Sequence, residues 1–230
     1  MHTRSRHLPM YVWLILLSSL YGHQAQAQQT LLIDDFKHPP MQSYVGYAPP
    51  PVAVQEGYSL YYATADIQLT RVQVVSPAAV HAANTLQLQY TLPPSFAWGN
   101  WLSLRREFAA PLDLSTYEGV ELTFKVVSPS NALLRITLSD LDQGSNARDE
   151  MWWFDFPPET LKNATTGWQK IRIPFRAFYL SWGAGTRQND RRWNASRIVA
   201  YEVNVLSPPH EQPQGAILLE SLQAFQGEGR

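Results

Sequence analysis

The sequence predicts an all-β protein, a two-sheet antiparallel β-sandwich of the jelly-roll kind, on three observations. Apolar and polar residues alternate with period 2 over many short segments. Pro, Gly, Asn or Asp bound each of these segments. After residue 30 no long stretch keeps the 3.6-residue period of a helix. About nine or ten short strands in one domain suit a sandwich better than any other β architecture.

The N-terminus is expected to be removed. Arg4 and Arg6 supply a positive start, Met10 to Leu20 a short apolar core, and Ala25-Gln26-Ala27 the small-x-small pattern of a secretory cleavage site. The apolar run is shorter than the roughly 20 residues that span a bilayer. Residues 1–27 therefore read as a signal peptide, and the protein as exported to a periplasm or to the medium without a membrane anchor. The chain has 230 residues and no cysteine, so neither a disulfide framework nor a lipid-attachment thiol is expected. Residues 28–230 are expected to form a single domain. The formal net charge is −1, and −3 once Arg4 and Arg6 are gone. With no basic cluster, this argues against nucleic acid as a partner. The remaining histidines, His38, His81 and His210, are too scattered to suggest a zinc site.

Leu31-Leu32-Ile33 starts the first strand. Met41 to Tyr62, with Pro49-Pro50-Pro51 at its centre, reads as a long loop, because proline removes ladder donors. Strands are then expected over Ile67 to Val75, Thr85 to Thr91, Trp101 to Phe108, Val120 to Val127 and Leu133 to Ser139. Met151 to Phe156, Gln169 to Pro174, Val199 to Val205 and Ala216 to Phe225 complete the set. Ser139 to Asn146 reads as a polar hairpin connection.

Alternation assigns faces. Leu134, Ile136 and Leu138 point to the core and leave Arg135, Thr137 and Ser139 outward. Trp152, Phe154 and Phe156 read as core, with Met151, Trp153 and Asp155 outward. Val199, Tyr201, Val203 and Val205 leave Glu202 and Asn204 outward. If these strands are neighbours, one face collects Arg135, Trp153, Asp155, Glu202 and Asn204. An indole among paired charges and amides suits a sugar, whose C–H face stacks on the ring while its hydroxyls bond to the charged groups. The same set also fits an ordinary solvated sheet face, with Arg135 and Asp155 as a cross-strand pair. Trp98 and Trp182 lie beside glycines in loops, where an indole either serves a ligand or plugs the sandwich, and Trp182 joins the candidate set. Trp168 reads as core.

Four segments in order carry a family resemblance. They are Leu32-Ile33-Asp34-Asp35-Phe36, the turn and strand from Pro111 to Val120, Glu150 to Phe156, and Gly167 to Phe175 followed by Phe178. With the closing strand Ile217 to Leu222, they resemble the carbohydrate-binding modules of family 11 and related galactose-binding-like jelly rolls. The resemblance implies a two-sheet sandwich with a concave sugar-binding face and one structural calcium ion, with no organic cofactor. Asp34, Asp35 and Glu220 are the candidate calcium ligands, although the family's closing strand often carries two consecutive acidic residues and here Ser221 follows Glu220.

The expected function is non-catalytic recognition of a β-glucan-like polysaccharide or oligosaccharide. A structural or protein-binding sandwich with an envelope protein as partner is the alternative. A third reading is a glycosidase or lyase using carboxylates among Asp140, Asp142, Asp149, Glu150 and Asp155. No nucleophile elbow, zinc motif, phosphate loop or dinucleotide fingerprint occurs.

Overall fold

The computed structural model describes residues 30–37, 40–45, 58–62, 71–75, 85–94, 100–141, 149–181 and 191–227. The expected leader, the triple proline, Trp98 and Trp182 lie outside these residues.

Thirteen strands are described: β1 (Thr30–Asp34), β2 (Pro40–Val45), β3 (Tyr58–Tyr62), β4 (Arg71–Val75), β5 (Thr85–Thr91), β6 (Trp101–Leu112), β7 (Gly119–Ser128), β8 (Leu133–Leu141), β9 (Asp149–Asp155), β10 (Gln169–Pro174), β11 (Tyr179–Leu180), β12 (Ile198–Leu206) and β13 (Gln214–Phe225). One sheet runs β10-β7-β13-β5-β4, with β1 also paired to β13; the other runs β11-β9-β8-β12-β6-β3-β2. Two single 3₁₀ turns, Phe175–Ala177 and Ala195–Arg197, are the helical pieces among the described residues. The architecture is the expected two-sheet β-sandwich.

Alternation built the core as expected. Leu86, Leu88, Val120, Leu122, Phe124, Ile217 and Leu219 from the first sheet meet Leu102, Leu104, Leu134, Ile136, Tyr201, Val203 and Val205 from the second, all fully buried or nearly so. Among the described strands, every pairing except β2 with β3 is antiparallel.

Three expectations about the chain fail. Met41 to Tyr62 is not one loop: β2 and β3 lie in it and pair in parallel at the edge of the second sheet. Pro40 opens β2, and the first position of an edge strand is a place where a missing N–H is tolerated. Composition therefore misled. Asp140, expected in a hairpin connection, instead lies in β8 and faces Glu150 of β9, both almost wholly buried. Trp168, expected in the core, is 38% exposed just before β10.

Gly119 shows how closely the first sheet is built. A Cβ there would sit 2.2 Å from the Ile173 carbonyl oxygen and 2.7 Å from the Pro174 Cα, and both are backbone atoms that cannot swing away. Gly119→Ala is thus expected to push β10 off β7 and destabilise by about 1–3 kcal/mol, the usual cost of overpacking. A thermal melt checks this. An unchanged midpoint would show that the β7–β10 pairing can shift freely.

Candidate functional site

The strand order β9-β8-β12-β6 brings three rungs of outward-facing residues together. The first rung runs Asp155–Arg135–Asn204–Ser103, the second Trp153–Thr137–Glu202–Arg105, and the third Met151–Ser139–Ala200–Glu107. Five of the six expected ligand residues, Arg135, Trp153, Asp155, Glu202 and Asn204, thus share one face; Trp182 lies outside the described residues. The orientation of β9 is also as expected. Trp152 turns inward to the core, donates its indole N–H to Asp140 (3.2 Å) and meets Trp193 edge-on, while Trp153 turns outward.

The five do not play equal parts, and burial separates them into two layers. The upper layer lies toward β9 and the short β11. Arg135 forks both oxygens of Asp155, at 2.5 and 3.1 Å, and its guanidinium carbon lies 3.8 Å from the Trp153 ring centroid. Tyr179, opposite Trp153 in the register, donates its hydroxyl to the other side of the Asp155 carboxylate at 2.5 Å. Its ring meets Trp153 edge-on and is 45% exposed. Partial burial, and after it the hydrogen bond and charge of Asp155, push the Tyr179 hydroxyl up to about 12. It therefore stays protonated, as a donor must, throughout the neutral range.

The lower layer is sealed from water. Glu202 accepts from Arg105 Nη1 (2.7 Å) and from Ser103 Oγ (3.0 Å), and it is 1% exposed. Arg105 also donates to Glu107 (2.9 Å) and lies 3.4 Å from the Ser139 hydroxyl. Asn204 donates to Thr137 Oγ1 at 3.0 Å. Ser103, Arg105, Glu202 and Asn204 share the expected face but are buried, so Glu202 and Asn204 stiffen the sheet beside the exposed cluster rather than displaying atoms to solvent. Charged groups brought this far out of water persist because each has its opposite partner.

Arg105, Ser103, Glu107 and Tyr179 were not among the expected residues. The first three were within reach of the alternation argument: with Leu102 and Leu104 inward, Ser103, Arg105 and Glu107 must face out. Tyr179 sits in a two-residue strand, too short to carry a period.

Two of the three expected calcium ligands, Asp34 and Asp35, are already partnered. Asp34 is fully buried and is held by the Phe36 N–H (2.8 Å), by the Arg106 guanidinium (2.7 Å) and by the Tyr201 hydroxyl. Asp35 pairs with Lys37 at 3.0 Å. Glu220 belongs to β13, where Asp34 pairs in register with Leu222. Among the described residues, no three His, Asp or Glu side chains gather around one point. Calcium needs six to eight oxygens, and here a guanidinium and two hydrogen-bond donors converge on the central carboxylate instead. This donor set does not fit the ion. The melting temperature is accordingly expected to be the same with added calcium and with chelator, because an ion without a site cannot stabilise by mass action. A rise with calcium would show that the ligands come from elsewhere in the chain.

Of the carboxylates considered for catalysis, Asp140, Glu150 and Asp155 are held by protein partners, and the side chain of Asp149 lies outside the described residues. Asp140 accepts from the Asn194 N–H (2.6 Å) and Glu150 from the Arg191 N–H (2.8 Å), on the core side of the sheet, so both pin the segment that carries Trp193. Asp142 lies outside the described residues.

The fold is the β-sandwich that carbohydrate-binding modules of known structure share. The chain has the fold of the family 11 carbohydrate-binding module from Clostridium thermocellum in complex with a β-1,3-1,4-mixed-linked tetrasaccharide: TM-score 0.57, 14% identity, 87% of this chain and 98% of that one covered. It is similarly related to the family 11 module of the cellulosomal cellulase Lic26A-Cel5E of the same organism, with a TM-score of 0.56, 14% identity, and 89% and 99% of the two chains covered. No protein-family model matches the chain, and no curated protein matches it in sequence.

Proposed function

We propose that this is an exported, non-catalytic carbohydrate-binding domain that takes a β-glucan-like polysaccharide on the outward face of β11-β9-β8-β12-β6. The observation that carries the reading is the Arg135–Trp153–Asp155–Tyr179 cluster. Aromatic rings and a carboxylate held rigidly side by side offer a sugar both stacking and directed hydrogen bonds, at little cost in side-chain ordering. The buried Arg105–Glu202 layer beside it adds the stiffness that a preformed site requires. The shared fold with modules of family 11, one of them bound to a mixed-linkage tetrasaccharide, supports the glucan class. A non-catalytic role is supported by the carboxylates, since Asp140 and Glu150 are buried on the core side and Asp155 is tied to Arg135 and Tyr179. Export rests on the Arg4-to-Ala27 leader pattern.

A soluble-glycan array probed with the domain, followed by titration calorimetry of the best ligand, tests the reading. Saturable binding of a glucan is the expected result; silence across the array refutes it. A protein partner in the cell envelope is the second reading, favoured by Leu31 and Leu32, which β1 leaves exposed on the other sheet.

A further inference from the structure

We propose that Asp155 sets the charge selectivity of this face: its carboxylate closes Arg135 to anionic sugars and reserves the site for uncharged ones. The inference rests on the carbohydrate-binding reading above.

Among the described residues, the face carries the carboxylates Glu107, Asp155 and Glu202 and the guanidinium groups Arg105 and Arg135. Near balance in number hides an imbalance in exposure. The Asp155 and Glu107 side chains are 44% and 33% exposed, against 16% for Arg135 and 9% for Arg105. The cations are turned inward and engaged. Arg135 gives one edge to both Asp155 oxygens and one face to the Trp153 ring, and Arg105 is held by Glu107 and Glu202. The Tyr179 hydroxyl is likewise spent on Asp155. An arriving ligand therefore meets carboxylate oxygen first.

That order of encounter discriminates. A uronate or sulfate group must approach the Asp155 carboxylate, whose charge offsets that of Arg135, and can take the Nε–Nη2 edge of the guanidinium only by displacing it from a two-point, charge-assisted pair. An uncharged sugar needs no displacement, because a hydroxyl can donate to the lone pair that Arg135 and Tyr179 leave on Asp155 Oδ1. Rejection built from a repulsive group is the usual way in which specificity exceeds what attraction alone supplies.

The experiment compares neutral mixed-linkage β-glucan and xyloglucan with polygalacturonate and a sulfated galactan, by titration calorimetry at low and high salt. Wild-type protein is expected to bind its best neutral glycan at least about tenfold more tightly than either polyanion, as like-charge juxtaposition requires. Asp155→Asn keeps the shape of the side chain and removes its charge. It is expected to narrow that ratio by about tenfold or more, through polyanion binding that weakens as salt screens it. In the double variant Asp155→Asn, Arg135→Gln that gain should vanish, which assigns it to the uncovered guanidinium. An unchanged ratio in a folded Asp155→Asn, or a gain that survives in the double variant, overturns the proposal. Should Asp155→Asn fail to fold, the wild-type panel decides: a polyanion bound as tightly as any neutral glycan overturns the proposal while leaving carbohydrate binding intact. No binding to any glycan instead removes the carbohydrate reading, and this inference with it.

Discussion

Trp153→Ala is expected to weaken binding of the best glycan at least about thirtyfold, or about 2 kcal/mol, as truncation of a central aromatic at an interface commonly does. The loss has two parts. The indole no longer offers an apolar surface to the sugar, and Arg135 loses the ring that its guanidinium lies on, 3.8 Å from the centroid. The melt should move little, because the ring is half-buried on the outward face and takes no part in the core between the sheets. Its neighbour gives the opposite pattern. Trp152 packs on the core and on Trp193 and bonds to buried Asp140, so Trp152→Ala should lower the melting temperature and leave the affinity of the folded fraction near wild type. Calorimetry and a melt of each variant separate the two. Wild-type affinity in Trp153→Ala would falsify the proposed stacking surface.

Asp34→Ala is expected to be the most destabilising single change, by about 3–5 kcal/mol, the range for breaking one side of a buried ion pair. Its carboxylate ties β1 of one sheet to Arg106 of β6 and Tyr201 of β12 in the other, and also closes the turn at Phe36. Without it, the Arg106 guanidinium and the Tyr201 hydroxyl lose the carboxylate they share. Phe36, fully buried at a φ of 53°, loses the bond that holds it in the left-handed region. For a domain of about 200 residues, that energy corresponds to a fall of roughly 6–20 °C in Tm. A melt of the variant measures it, and a fall of less than about 3 °C would mean that the junction carries no weight.

Much of the fold was legible because a sheet with one buried face writes its register into the chain. Val120, Leu122, Phe124 and Val126 alternate without exception, and all are buried. The placing of Arg135, Trp153 and Asp155 on one face follows from that period alone. Other features were beyond it. Periodicity tells which way a residue points and not what lies above it, so Glu202 was legible as outward but not as sealed. Asp34 was read as a free oxygen donor because its cation comes from elsewhere: Arg106 is 72 positions away, and no local pattern links the two. β2 was hidden by proline, whose ban from central strands does not reach the first residue of an edge.

The place of β13 in its sheet has a kinetic consequence. It pairs with β1, β5 and β7, all of which precede it in the chain. Until residues 214–225 are available, β1 and the β4–β5 hairpin have no ladder joining them to β7, and half of the sandwich wall stays open. Such long-range pairing slows folding and concentrates it into one late step. The sandwich would therefore remain uncommitted until residues 214–225 join it, and β13 would act as the zip that converts an open polymer into a compact domain.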